Sequence, residues 1–230
     1  MRFDIITIFP KIFNSYFNES ILARAQKNRL VKIKIHDLRK YANDKHHKVD
    51  DTPYGGGAGM VMKIEPVYRA LLDLKIIKKD GMKNKRFLKN TKIFLMSAKG
   101  EKYNQKMASE FAKLDRIILI CGRYEGVDER VAKYLVDGEI SIGEYILTGG
   151  EIPAIVIVDS VARLIGGVLG NKESAENESF SQDWRLEHPH YTKPEIFSPN
   201  KKTAWRAPKV LLSGNHKKIK EWKEKHSIKC

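Results

Sequence analysis

A chain of 230 residues, 42% hydrophobic and 31% charged, holds enough apolar side chain for one ample core, or for one domain with a small second one. Its two cysteines argue against a disulfide framework or a zinc site and favour a reducing cytoplasm, and no run approaches the ~20 apolar residues of a membrane span. The formal charge of +15 points to a polyanionic partner, and its distribution says more. Residues 75–92 carry eight Lys/Arg against one acid and residues 184–230 carry twelve against four, whereas residues 117–183 carry five against twelve. Lysines outnumber arginines 31 to 12, so part of the excess is a lysine bias of composition.

In chain order, residues 3–9 (FDIITIF) read as a strand ended by Pro10, and not as a signal peptide, because Asp4 interrupts the apolar run. Ile12, Phe13, Tyr16, Phe17, Ile21, Leu22 and Ala25 form one helical apolar stripe to about Asn28. Val31, Ile33 and Ile35 alternate with lysines as a half-buried strand. Periodicity then vanishes over residues 39–60, a long loop holding Asp50, Asp51, Tyr54 and the run Gly55, Gly56, Gly57, Ala58, Gly59. Loops of that length are functional or disordered; a segment closing over ligand or RNA and a plain surface loop both fit.

A helix is expected from Glu65 to Leu74, then a solvated lysine-rich excursion over residues 75–90. A buried strand from Thr91 to Ala98, a helix from Glu101 to Leu114 and a strand from Arg116 to Cys121 follow. This alternation predicts a parallel sheet with helices on its faces. Residues 151–166 predict an apolar helix with Asp159 and Arg163 one turn apart, spaced as an ordinary intrahelical ion pair. Residues 170–183 lack periodicity and read as a linker, and residues 184–230 as an appended basic module with a polar helix near His216–Lys225.

The densest signal lies between Arg116 and Pro153. The apolar strand stops at Gly122, and Gly126, Gly138, Gly143, Gly149 and Gly150 follow among Glu125, Asp128, Glu129, Glu139, Glu144 and Glu151. Glycine at that density lets backbone approach a ligand closely. The spacing matches neither the dinucleotide nor the P-loop pattern. With carboxylates so numerous, a cationic or uncharged small molecule fits better than an anion. The histidine pairs His46, His47 and His188, His190 leave three readings open: metal ligands, RNA contacts or surface histidines.

The phrases VDDTPYGGGAGM, CGRYEGVDERV, SIGEYILTGGEIPA, GVLGN, SAENESF, HPHYTKPEIF and LLSGNHKKIKEW together resemble the bacterial tRNA (guanine-N1)-methyltransferases of the TrmD type. The resemblance runs in order over nearly the whole chain. It implies an α/β fold: a parallel-sheet SPOUT domain with a deep trefoil knot, plus a small, mainly helical C-terminal domain. The implied division is a methyltransferase domain over 1–168, a linker over 169–183 and a basic tRNA-binding domain over 184–230. It also implies a cytoplasmic homodimer with active sites at the subunit interface, S-adenosylmethionine as methyl donor, and a Mg²⁺ ion whose site no ligand cluster identifies. The substrate implied is tRNA, at the guanosine immediately 3′ of the anticodon, where methylation maintains the reading frame.

Carried over by motif, the donor would be held by Leu95, Met96, Ser97 and Gly100, by Gly122, Tyr124, Glu125 and Gly126, and by Ile142, Gly143, Glu144, Tyr145, Ile146, Leu147, Gly149, Gly150 and Pro153. His46, Asp50, Gly55, Gly56, Gly57 and Gly59 would face the RNA. The reaction needs a base for the guanine N1 proton, a role falling to Glu178, and a cation for the developing negative charge on the base, a role falling to Arg163. The family's base is an aspartate, so Glu178 adds a methylene at that position. Ala98-Lys99 replaces a proline-containing turn, and the match ends at Cys230 without the basic tail usual in such relatives. A weaker hold on tRNA is therefore expected, with residues 75–92 available to compensate. Two rivals remain: a basic RNA-binding protein without catalysis, and a knotted methyltransferase acting at another RNA position.

Overall fold

The structure is a computed structural model that describes residues 1–84, 89–170 and 185–229. The chain divides into two compact units, Met1–Gly170 and Asn171–Cys230.

The first unit is built on five strands: β1 (Arg2–Thr7), β2 (Lys32–Asp37), β5 (Thr91–Lys102), β6 (Arg116–Cys121) and β7 (Gly138–Ser141). They pair in the order β2-β1-β6-β5-β7, every pair parallel. Two further strands, β3 (Asp50–Asp51) and β4 (Val61–Met62), form a small antiparallel pair. Strand β6 shows why the sheet is buried on both sides. Ile117, Leu119 and Cys121 face one hydrophobic cluster, while Ile118 and Ile120 face another. The first cluster is roofed by α1 (Asn14–Phe17), α2 (Ser20–Lys27), α4 (Gln105–Phe111) and α6 (Glu151–Ala162). The second is roofed by α3 (Ile64–Asp73) and α5 (Glu129–Tyr134). Each fully buried aliphatic or aromatic side chain contributes about 1.5–3 kcal/mol, and that sum selects continuous apolar strands with helices on both faces.

Among the described buried polar residues, Asp4 carries the densest set of partners. Asp4 is fully buried in β1, and its carboxylate accepts from Arg2, from His36 (2.6 Å) and from Arg116 Nε (2.7 Å). Burial alone would raise the Asp4 pKa; the hydrogen bonds from His36, Arg2 and Arg116 outweigh it and hold the carboxyl well below its ordinary range.

Several expectations change in detail. The stripe from Ile12 to Ala25 is not one helix: a 3₁₀ turn (Pro10–Phe13), α1 and α2 share it, with Ser20 at φ 48. Asn18, Glu19 and Ser20 form the break, Asn and Ser being residues that compete with the helix for backbone hydrogen bonds, yet Phe13, Phe17, Leu22 and Ala25 still face one core. Strand β5 extends to Lys102, so the following helix starts at Gln105 and not Glu101. Residues 39–60 are less irregular than expected, with a 3₁₀ turn at Leu38–Tyr41 and the β3–β4 pair. The lysine-rich excursion is anchored at its start by Ile76 and Ile77, both buried.

The described part of the second unit contains β8 (Arg185–Leu186) paired with β11 (Ile228–Lys229), β9 (Ile196–Asn200) paired with β10 (Thr203–Arg206), and helices α7 (Lys209–Leu212) and α8 (His216–His226). Asn215 caps α8, its side chain accepting from Lys218 N at 3.1 Å. Strands and helices thus share this unit among the described residues. No described helix is long and apolar enough to cross a membrane.

Candidate active site

A cavity of about 510 Å³ opens at the carboxyl ends of β5, β6 and β7, where open parallel sheets place their ligands. Three loops build it. The first is a bulge in β5: Ile140 of β7 stands opposite Met96 and again opposite Glu101, so residues 97–100 loop out between two stretches of regular pairing. A Cβ on Gly100 would lie 2.4 Å from backbone atoms of Glu139 and Ile140, so only glycine lets the bulge close onto β7.

The second loop follows β6. Tyr124 takes a left-handed conformation (φ 60) and Gly126 has φ 144. The small β3–β4 pair braces this turn: Glu125 N donates to Met60 O (3.1 Å), Met62 N to Gly126 O (2.9 Å) and Asp128 N to Met62 O (2.9 Å). The third loop, residues 142–150, returns to the end of β6, where Gly150 N donates to Gly122 O at 2.9 Å. A Cβ on Gly150 would stand 2.7 Å from Cys121 Cα. The second and third loops are tied again by side chains. Arg123 Nε donates to Glu151 Oε2 (2.9 Å) and Arg123 Nη1 to Thr148 O (3.0 Å), while Thr7 Oγ1 donates to Glu151 Oε1 (2.7 Å). The Arg123 guanidinium also lies over the Phe9 ring, 4.7 Å from its centroid.

The lining is acidic in balance. Glu125, Glu129 and Glu139 face Lys99 and Arg123, and both cations are engaged: Arg123 by Glu151, and Lys99 by Glu129 (2.6 Å) and Glu139 (3.7 Å). The hydrogen bond that Lys99 donates to Glu129, then the charge of Glu139, raise the Lys99 pKa. Glu139 Oε2 is buried without a hydrogen-bond partner among the described residues. An uncompensated buried carboxylate oxygen on a cavity wall favours a ligand that brings a donor or a positive charge.

The whole chain, residues 1–230, matches the family model described as tRNA (Guanine-1)-methyltransferase TrmD. Relatives named tRNA (guanine-N(1)-)-methyltransferase include that of Dehalococcoides mccartyi, 48% identical over 229 residues covering 100% of this chain and 86% of the relative. That of Clostridioides difficile is 48% identical, covering 100% and 93%, and that of Carboxydothermus hydrogenoformans is 50% identical, covering 99% and 83%. The chain belongs to the TrmD family.

Set beside the residues that the TrmD resemblance singled out, the cavity gathers most of those expected at the donor. Leu95, Met96, Ser97, Gly122, Tyr124, Glu125, Gly126, Ile142, Gly143, Tyr145, Ile146, Leu147, Gly149, Gly150 and Pro153 all line it. Gly100 does not; it packs the bulge onto β7. Glu144 points to solvent, where Lys102 Nζ donates to it at 3.0 Å. The wall also includes Ala98, Lys99, Arg123, Val127, Glu129, Ala132, Glu139, Ile140, Ser141 and Thr148, which the motifs did not single out. Arg123 stands inside the CGRYEG phrase and was within reach of the sequence. Lys99, Glu129 and Glu139 come from three separate segments, and only the fold joins them.

Of the residues expected to face RNA, Gly59 lies against Glu125, where a Cβ would sit 2.3 Å from Glu125 Cγ, while Gly55, Gly56 and Gly57 have open space around them. Asp50 is half-buried in β3, opposite Met62. His46 is exposed, its N–H donating to Asp44 Oδ1 at 2.9 Å. Arg163 caps the end of α6, half-buried and away from the cavity wall, with its N–H donating to Asp159 O at 3.2 Å. Burial first, and then the charge of Asp159, raises the Tyr16 pKa. Glu178 and the rest of the expected linker, residues 171–183, lie outside the described residues.

Proposed function

We propose that this chain methylates N1 of the guanosine immediately 3′ of the anticodon in tRNA, with S-adenosylmethionine as donor, maintaining the reading frame in the cytoplasm. Membership of the TrmD family carries the reading, and the acidic cavity supports the choice of donor. The donor is a sulfonium that supplies an electrophilic methyl group, and Glu125, Glu129 and the unpartnered Glu139 Oε2 suit its positive charge. The bulge, the β6 turn and residues 142–150 surround the cavity in which this reading places the donor.

On this reading Glu178 takes the guanine N1 proton, and the lone pair so exposed forms the bond to the methyl carbon as its bond to sulfur breaks, the electron pair leaving with a neutral thioether. Arg163 stabilises the negative charge that the base acquires, and the cavity aligns donor and acceptor. Arg163 lies away from the wall formed by its own chain, which favours a composite site completed by a second copy. Tyr145, Ile146, Ile152 and Val156, exposed beside the cavity, offer that copy an apolar surface. The return of residues 142–150 to the end of β6 is consistent with the family's trefoil knot. Residues 1–168 then form the knotted methyltransferase domain, 169–183 the linker and 184–230 the small domain that grips tRNA, in which strands stand beside the helices expected there. A Mg²⁺ requirement belongs to this reading, but among the described residues no set of three ligands converges at the cavity, and no step here runs through the ion.

Transfer of labelled methyl to tRNA transcripts carrying guanosine or adenosine 3′ of the anticodon tests the reading. Transfer to the guanosine transcript alone, abolished in Glu178→Gln, is expected. Undiminished transfer by Glu178→Gln removes Glu178 from the role of base, and RNA binding without any transfer favours a non-catalytic RNA-binding protein.

A further inference from the structure

We propose that Glu187, His188 and His190 form a binding site for one divalent transition-metal ion of the zinc type, built from residues other than those lining the cavity. One donor atom from each of the three side chains lies within 4.8 Å of the others. His190 Nε2 and Glu187 Oε1 are 3.1 Å apart. Two ligands held tetrahedrally at about 2.0–2.1 Å from zinc stand about 3.3 Å from each other, so this pair already has nearly the separation that a shared ion requires.

The second feature is the proton on His188. Its Nδ1 lies 3.2 Å from the Pro189 carbonyl oxygen. A carbonyl only accepts, so this hydrogen bond assigns a hydrogen to Nδ1, and the tautomer so assigned leaves Nε2 as the ligating nitrogen. A ligating imidazole is oriented in this way, with its other nitrogen donating to a backbone carbonyl. The rings are also held from behind. His188 and His190 have centroids 4.7 Å apart, and His188 packs 6.2 Å from Trp222. Trp222 is in turn stacked by His226 at 4.1 Å and met edge-on by Tyr191. Pro189 between the two histidines and the β8–β11 pairing just before Glu187 limit the freedom that binding would otherwise have to remove.

Two imidazoles and one carboxylate select a borderline ion such as Zn²⁺, Co²⁺ or Ni²⁺ over Mg²⁺, which prefers oxygen and retained water. Three protein ligands leave a fourth position for water. The competing account is an ordinary surface ion pair between Glu187 and His190, which makes no use of His188.

The test is equilibrium dialysis of the full-length protein with Zn²⁺ alone, alongside visible absorption on addition of Co²⁺. Expected is one Zn²⁺ per chain and a Co²⁺ ligand-field band, with affinity falling by roughly 10–100-fold or more in each of Glu187→Gln, His188→Ala and His190→Ala. His46→Ala and His216→Ala should bind as the unaltered protein does. The three ligand side chains are exposed or half-buried, so far-UV circular dichroism should not change. No Zn²⁺ binding, or binding that survives His188→Ala within twofold, would overturn the proposal and leave only the ion pair.

Discussion

Arg123 Nε lies 2.9 Å from Glu151 Oε2, and this contact fastens the turn after β6 to the first residue of α6. Glu151 is 1% exposed, and its other oxygen is taken by Thr7. Removing one partner of a buried pair strands the other charge, at a cost of about 3–5 kcal/mol. Glu151→Gln and Arg123→Ala should each destabilise the fold by that order, measured by unfolding in denaturant. The double variant should cost less than the two single effects added together. Strict additivity in that cycle would mean that the contact does not couple the loops.

The cavity depends on backbone contacts that admit no side chain. Gly100→Ala and Gly150→Ala would each force a methyl to within 2.4–2.7 Å of backbone atoms, so both should weaken binding of the methyl donor by tenfold or more, a change of about 1.4 kcal/mol. Gly166, with open space around it and no positive φ, is the control. Gly166→Ala should stay within about 0.5 kcal/mol of the parent protein in stability, with donor affinity unchanged by calorimetry.

Asp4 sets a pH dependence of stability. Its folded pKa is depressed, so its contribution is complete above the unfolded carboxyl value of about 3.9 and declines as pH falls below it. Unfolding midpoints should therefore drop on acidification below about pH 4, and Asp4→Asn should both lower stability at pH 7 and flatten that acid limb. An unchanged acid limb in the variant would show that other carboxylates dominate it.

The exposed lysines of the insert, Lys75, Lys78 and Lys79 among them, should act on tRNA through charge. Reversal of Lys78 and Lys79 to glutamate should raise the Michaelis constant for tRNA and leave donor affinity unaltered. It should also reduce the slope of log affinity against log salt by roughly one for each phosphate that the surface no longer neutralises. An unchanged Michaelis constant across a salt series would remove this surface from the tRNA footprint.

What the sequence determined by itself was mostly local. Ile117 to Cys121 read as a buried strand because five apolar residues without polar alternation suit a strand covered on both faces, and the glycines after it marked where backbone would crowd a ligand. The motif phrases carried the family because they are long and follow one another in order. The bulge at residues 97–100 was not legible, because it is set by the register of β5 against β7, two strands whose pairing no local pattern fixes. Nor was the single long stripe from Ile12 to Ala25 a guide to its break at Ser20, since a helix and a bent pair of helices can bury the same face. The Arg123–Glu151 contact and the Lys99, Glu129 and Glu139 cluster belong wholly to the tertiary structure. Charges far apart in sequence meet only after apolar burial has closed the sheet; the low dielectric around buried Glu151 then gives its pairing with Arg123 weight, whereas Lys99 and Glu129 stay exposed and screened.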